Sequence, residues 1–179
     1  MTLASYITIS RIILIVPIMY LISIKSLEAN FLALILFLLA GITDYLDGYI
    51  ARKTNTESSL GALLDLLADK LLVCIVLVWL VYIYQNIYLT VPVLIIISRE
   101  LIVSSLRQYM AELAGKNNTQ VSFIGKSKTT LQFIAILFLI ISPDFGFYFS
   151  SVAILMTWIA ALISIYSLFT YLKVWKENV

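Results

Sequence analysis

The stretch Asp44-Tyr-Leu-Asp47-Gly48-Tyr-Ile-Ala51-Arg52, continued through Lys53-Thr-Asn-Thr-Glu-Ser-Ser59-Leu60 to Gly61-Ala-Leu-Leu-Asp65-Leu-Leu-Ala-Asp69-Lys70, sets four carboxylates into otherwise apolar sequence. A charged aspartate near the centre of a bilayer costs on the order of 3 kcal/mol, so four of them need cations to persist there. Asp44 and Asp47 are three apart and Asp65 and Asp69 four apart, so in helices each pair shares one face. A polar turn between them, with serines able to cap the following helix, makes the two helices antiparallel neighbours whose acids converge, roughly 10 Å inside one membrane face at the helical rise. Left bare, such a cluster repels itself, and one or two divalent cations resolve the repulsion. Oxygen-only ligation favours a hard ion such as Mg²⁺ or Mn²⁺, and hard ions suit phosphate substrates. Gly48, Ala51 and Gly61 keep the same faces free of bulk, and Arg52 places a fork of donors where a phosphate can meet it.

Working outward, the rest of the chain reads as membrane. Its 179 residues are 62% hydrophobic and 12% charged, about half the charge of a globular protein. The apolar blocks lack the alternation of an outer-membrane barrel, which leaves helices as spanning elements. We place six transmembrane helices at about 6 to 24, 30 to 53, 59 to 84, 89 to 113, 126 to 142 and 149 to 173, in one all-α domain covering residues 1 to 179. The first is read as a retained helix, since no small-residue cleavage site follows it. Arg52, Lys53, Lys116, Lys126, Lys128, Lys173 and Lys176 flank one side and Lys25 the other, which predicts that both termini are cytoplasmic.

Composition also excludes chemistries. The net charge of +2 comes without a basic run interleaved with aromatics, which argues against nucleic acid as a partner. The single cysteine, Cys74, rules out a disulfide framework, and the absence of histidine removes the usual proton shuttle and every His-based metal motif. Reaction chemistry must run on carboxylates, Lys, Arg and hydroxyls. A divalent-cation transporter is the rival reading, but the acids cluster near one side and no second half-repeat marks a midplane site.

A second basic cluster adds to the picture. Arg99 lies inside the fourth apolar segment, and Arg107, eight residues on, returns to its face. Lys126, Lys128 and Thr129 begin the fifth helix, where backbone N–H groups and the helix dipole attract anions. Together they predict a phosphate pocket. Glu100 and Lys70 are candidate electrostatic neighbours of Arg99. Arg11 reads as a snorkelling interfacial charge, and Tyr84, Tyr88, Tyr171 and Trp175 as interfacial anchors.

Asp44, Asp47, Gly48, Ala51, Arg52, Gly61, Asp65 and Asp69 match at every spacing the D-x-x-D-G-x-x-A-R-x8-G-x-x-x-D-x-x-x-D signature of the CDP-alcohol phosphatidyltransferases. The resemblance implies a six-helix membrane homodimer that displaces CMP from CDP-diacylglycerol with an alcohol. It implies that Asp44, Asp47, Asp65 and Asp69 hold two metal ions against the donor diphosphate. It further implies that Gly48, Ala51, Arg52 and Gly61 shape the CDP pocket and that Asp69 is the general base. The N-terminus is similar to the P-N-x-L-T-x-x-R opening of the family's bacterial glycerophosphate-using branch at Thr8 and Arg11, with Ala4 and Ser5 in place of Pro and Asn; on that match Thr8 joins the CDP pocket. Leu66 replaces the proline of the branch's D-P-L-A-D-K. The run from Arg99 to Arg107, with Gly125 to Thr129, resembles the same branch, which implies glycerol-3-phosphate as acceptor, ahead of inositol-phosphate, serine or phosphatidylglycerol. Membrane lipids surround the protein, and the cytoplasmic membrane is the expected location.

Overall fold

The computed structural model describes the backbone of residues 3–54, 59–113 and 123–178, and the side chains of residues 9–43, 67–106, 108–109, 129–173 and 176. These residues form six α-helices: α1 (Leu3–Ile24), α2 (Leu27–Thr54), α3 (Ser59–Tyr84), α4 (Ile87–Leu113), α5 (Phe123–Ile141) and α6 (Phe147–Asn178), with a 3-10 turn at Ser142–Phe145 before α6. α3 coincides with the apolar block that predicts it, and the other five begin or end one to five residues beyond theirs, because polar residues continue a helix as soon as water or a cap satisfies its terminal groups. α3 is one uninterrupted helix through Leu66, as expected where the family branch's proline is absent.

Two tight turns make neighbouring helices antiparallel. Lys25 closes α1 and Gln85 closes α3 with positive φ angles of 55° and 47°, the left-handed conformation that ends a helix. The next residue then caps the following helix: Ser26 Oγ accepts from the Ala29 N–H at 3.3 Å, and Asn86 Oδ1 from the Tyr88 N–H at 2.9 Å. Gly146, φ 84°, turns the chain from the 3-10 segment into α6.

α1 packs against both α2 and α3, α5 against α2, α3 and α6, and α4 against α3 and α6. Ile18, Phe37, Val76, Leu80, Ile96 and Ile136 are fully buried where these helices meet, and small residues, Ala33, Ala40, Ala153, Ala160 and Ala161, let backbones approach. Gly41 is the tightest such point, since a Cβ there would lie 2.3 Å from Cζ of Phe133 on α5, whose ring stacks on Phe37 at 4.5 Å between centroids. The outward residues are apolar as well, among them Val16, Leu94, Leu155, Leu162 and Phe169. Three helices are long and apolar enough to cross a membrane, over Leu67–Tyr84, Ile87–Leu106 and Phe147–Lys173, and shorter apolar stretches occupy Ile9–Ile24, Leu27–Thr43 and Thr129–Phe145 among the described residues. A helix bundle apolar inside and out is a membrane protein.

Proline inside a helix usually leaves a carbonyl unmatched, and the bundle uses one as a link. Pro92 has no N–H for the carbonyl of Tyr88, one turn earlier in α4. Trp158 of α6 donates its indole N–H to that carbonyl at 2.9 Å, so the interruption becomes an interhelical contact.

Candidate active site

The turns at Lys25, Gln85 and Gly146 gather at one end of the bundle, where Asn30 reaches Asp144 at 2.9 Å and the Tyr84 hydroxyl donates to the Leu139 carbonyl at 2.7 Å and meets Ser142. The C-terminal half of α2 and the N-terminal half of α3 therefore lie toward the opposite end, with the start of α1 and α5 and the end of α4 and α6. Every residue singled out in the sequence as binding or catalytic falls in that half.

α2 is helical through Asp44 and Asp47 and α3 through Asp65 and Asp69, so each pair occupies one face of its helix. The side chains of Asp44, Asp47, Gly48, Ala51, Arg52, Gly61, Asp65 and Thr8 lie outside the described residues, as do those of Arg107, Lys126 and Lys128. Asp69, Arg99 and Thr129 are described. Thr129 is exposed near the start of α5.

Asp69 shows the geometry most clearly. Its Oδ1 accepts a hydrogen bond from Arg11 Nη1 at 3.2 Å, an ion pair that ties α3 to α1 across 58 positions. The two partners are unequally exposed: the Arg11 side chain is 1% accessible and that of Asp69 47%. Arg11 thus backs the carboxylate from inside the bundle while Asp69 faces outward. This corrects the snorkelling expectation for Arg11, since a snorkelling head group would be solvated. The missed signal was its cost: an arginine inside an apolar helix needs a carboxylate unless it reaches the interface, and Asp69 was available.

The next residue, Lys70, does not turn to Arg99. Its Nζ donates to Ser104 Oγ on α4, which fastens α3 to α4 beside the acidic face. Arg99 is 3% exposed and is held by protein at all three of its nitrogens. Nε donates to the Ser164 carbonyl at 3.3 Å, Nη1 to Glu100 Oε1 at 3.1 Å and Nη2 to Ser167 Oγ at 2.6 Å, with the Tyr171 ring centroid 5.8 Å from the guanidinium carbon. Gln132 of α5 donates to Ser164 Oγ at 3.0 Å and joins the same network. Glu100 is therefore the neighbour that the sequence suggests, and the guanidinium links α4 to α6. Tyr171 lies against this cation, and Tyr84 is a clasp between α3 and α5; both do more than anchor an interface. Sequence spacing could not find these partners because they lie on other helices, 65 and 68 positions away for Ser164 and Ser167.

The donor set suits a hard divalent ion: carboxylates only, with half of the described Asp69 side chain open to a ligand. Among the described residues there is no group of three or more metal-ligating side chains, as three of the four aspartates fall outside them.

The profile of a protein family described as CDP-alcohol phosphatidyltransferase matches residues 1–166. The chain belongs to that family. Full-length relatives agree. A protein of Haemophilus influenzae named CDP-diacylglycerol–glycerol-3-phosphate 3-phosphatidyltransferase is 40% identical over 174 residues, 97% of this chain and 92% of the relative. Proteins of the same name from Escherichia coli K12 and Salmonella choleraesuis are 36% identical over 166 residues, 93% of this chain and 90% of each relative. Within this family a divalent metal is required, which fits the carboxylate set on α2 and α3.

Proposed function

We propose that this phosphatidyltransferase moves the phosphatidyl group of CDP-diacylglycerol to glycerol-3-phosphate, giving phosphatidylglycerophosphate and CMP. The observation that carries the reading is the near full-length identity to relatives named for that reaction, together with the eight-position signature on α2 and α3.

The four aspartates Asp44, Asp47, Asp65 and Asp69 would hold two ions, Mg²⁺ or Mn²⁺. When bound, these ions would supply neutralisation of the charge that builds on the diphosphate as it is cleaved. Gly48, Ala51 and Gly61 leave room for the cytidine nucleotide against the helix backbones, with Thr8 and Arg52 as polar contacts to it. Asp69 accepts the acceptor's hydroxyl proton. A carboxylate is a weak base for an alcohol, so the proton moves late, as the hydroxyl oxygen bonds to phosphorus and the bond to the CMP oxygen breaks. Arg107, Lys126, Lys128 and Thr129 receive the acceptor's own phosphate, while Arg99 anchors α4 beneath them by its contacts to α6. The chain is one domain with six spans and both termini cytoplasmic. It works as a homodimer in the cytoplasmic membrane, the active site opening to the cytoplasm.

The test is CMP release by purified protein in detergent, given CDP-diacylglycerol, Mg²⁺ or Mn²⁺, and one acceptor at a time. Release with glycerol-3-phosphate, and far less with inositol-phosphate or serine, is expected. Faster release with another acceptor would reassign the substrate, and no release with any would contradict the proposed reaction.

A further inference from the structure

Arg11 is the bulkiest of the fully buried side chains among the described residues, and its charge cannot be shed. The contact contributes little net stability, because the desolvation of the buried guanidinium offsets much of its attraction to the carboxylate. What a guanidinium supplies is geometry: a planar fork that fixes a carboxylate in one orientation. The contact joins the two helices of unlike role, since α1 contributes none of the signature aspartates and α3 contributes two. Its asymmetry points the same way. The guanidinium is sealed off at 1% exposure, and the carboxylate it holds by Oδ1 is 47% open.

We infer that Arg11 is a positioning residue for Asp69: it grips one oxygen from behind and sets the carboxylate's rotation so that the other side of the group meets the acceptor hydroxyl. The inference rests on the reading of Asp69 as general base. A misdirected base slows the proton transfer step, while Asp44, Asp47 and Asp65 remain to hold the ions that engage the donor, so the main effect belongs in kcat. Misplacement by about an ångström costs on the order of a hundredfold in such steps.

Three variants test this, each assayed by CMP release and by thermal melting of the purified protein. Arg11→Met is expected to lower kcat about a hundredfold while both KM values stay within about threefold. Arg11→Lys restores the charge without the fork and is expected to recover at least about tenfold of that loss. If Arg11→Met does not accumulate as folded protein, Arg11→Gln takes its place under the same criteria. A kcat within about threefold of the parent, or a lysine variant no better than methionine, would overturn the proposal. So would a loss confined to KM.

Melting of Asp69→Asn, with and without Arg11→Met, provides a reading independent of turnover. Coupling predicts that Arg11→Met lowers the melting temperature less in the Asp69→Asn background than in the parent. Equal losses in the two backgrounds would show that the residues do not act on each other, and would sink the proposal. The two failures stay distinct: an active Asp69→Asn enzyme removes the base assignment, whereas an inactive one with no Arg11 coupling removes only the positioning role.

Discussion

The two ends of the bundle handle buried polarity in opposite ways. At the turn end the links are mostly neutral: the Tyr84 hydroxyl on a carbonyl and a serine, Asn30 on Asp144, and two caps that close their own turns. At the site end two guanidinium groups are buried at 1% and 3% exposure, one on Asp69 and the other on Glu100 and α6. Neutral contacts suffice to end helices at a membrane surface. Charges sunk among apolar helices are retained where they hold something in place, here the carboxylate of α3 and the seating of α4. The difference teaches that at the site end charge serves orientation, while at the turn end hydrogen bonds serve closure.

That contrast can be broken from either side. The largest effect belongs to Asp69→Asn, which keeps the shape of the side chain but removes the base and the charge that Arg11 pairs with. Turnover is expected to fall on the order of a thousandfold while the protein remains folded, as read by CMP release beside a melting curve. Next is Arg99→Met. Removing the cation leaves Glu100 and the Ser164 and Ser167 groups without it, and should cost about 3–5 kcal/mol of stability, seen as a marked drop in melting temperature. A variant that melts like the parent would mean that Arg99 does not hold α4 to α6. Gly41→Ala tests packing midway between the ends. The new Cβ must displace the Phe133 ring, and because only the far edge of that ring is met, the expected loss is about 1–3 kcal/mol. The smallest effect lies at the turn end, where Gln85→Gly relieves a left-handed residue with φ 47°. It should raise stability by up to about 1 kcal/mol and leave turnover unchanged.

Much of this architecture was legible in residue spacing. Apolar blocks separated by polar breaks place all six helices, since a helix in lipid must satisfy its own backbone and needs a long apolar run to do so. The aspartate pairs were legible because three- and four-residue spacings define a helix face whatever the surrounding fold. The partners of single charges were not. Arg11 could face the interface or a carboxylate, and only the packing of α1 on α3 decides between them. The position of Arg99 on α4 aligns it with Arg107, but nothing in that spacing points to Ser164 and Ser167, three apart on α6, which accept from its guanidinium. The link from Trp158 to Tyr88 had a sequence cue in Pro92, which frees that carbonyl, yet the cue names no donor.

The account depends most on divalent cations binding to the aspartates of α2 and α3. Isothermal titration of Mn²⁺ into the purified protein with CDP present tests this directly. Saturable uptake by the parent, abolished when Asp44 and Asp47 are both replaced by asparagine, is the predicted result. No uptake by the parent, or equal uptake by the double variant, would contradict it.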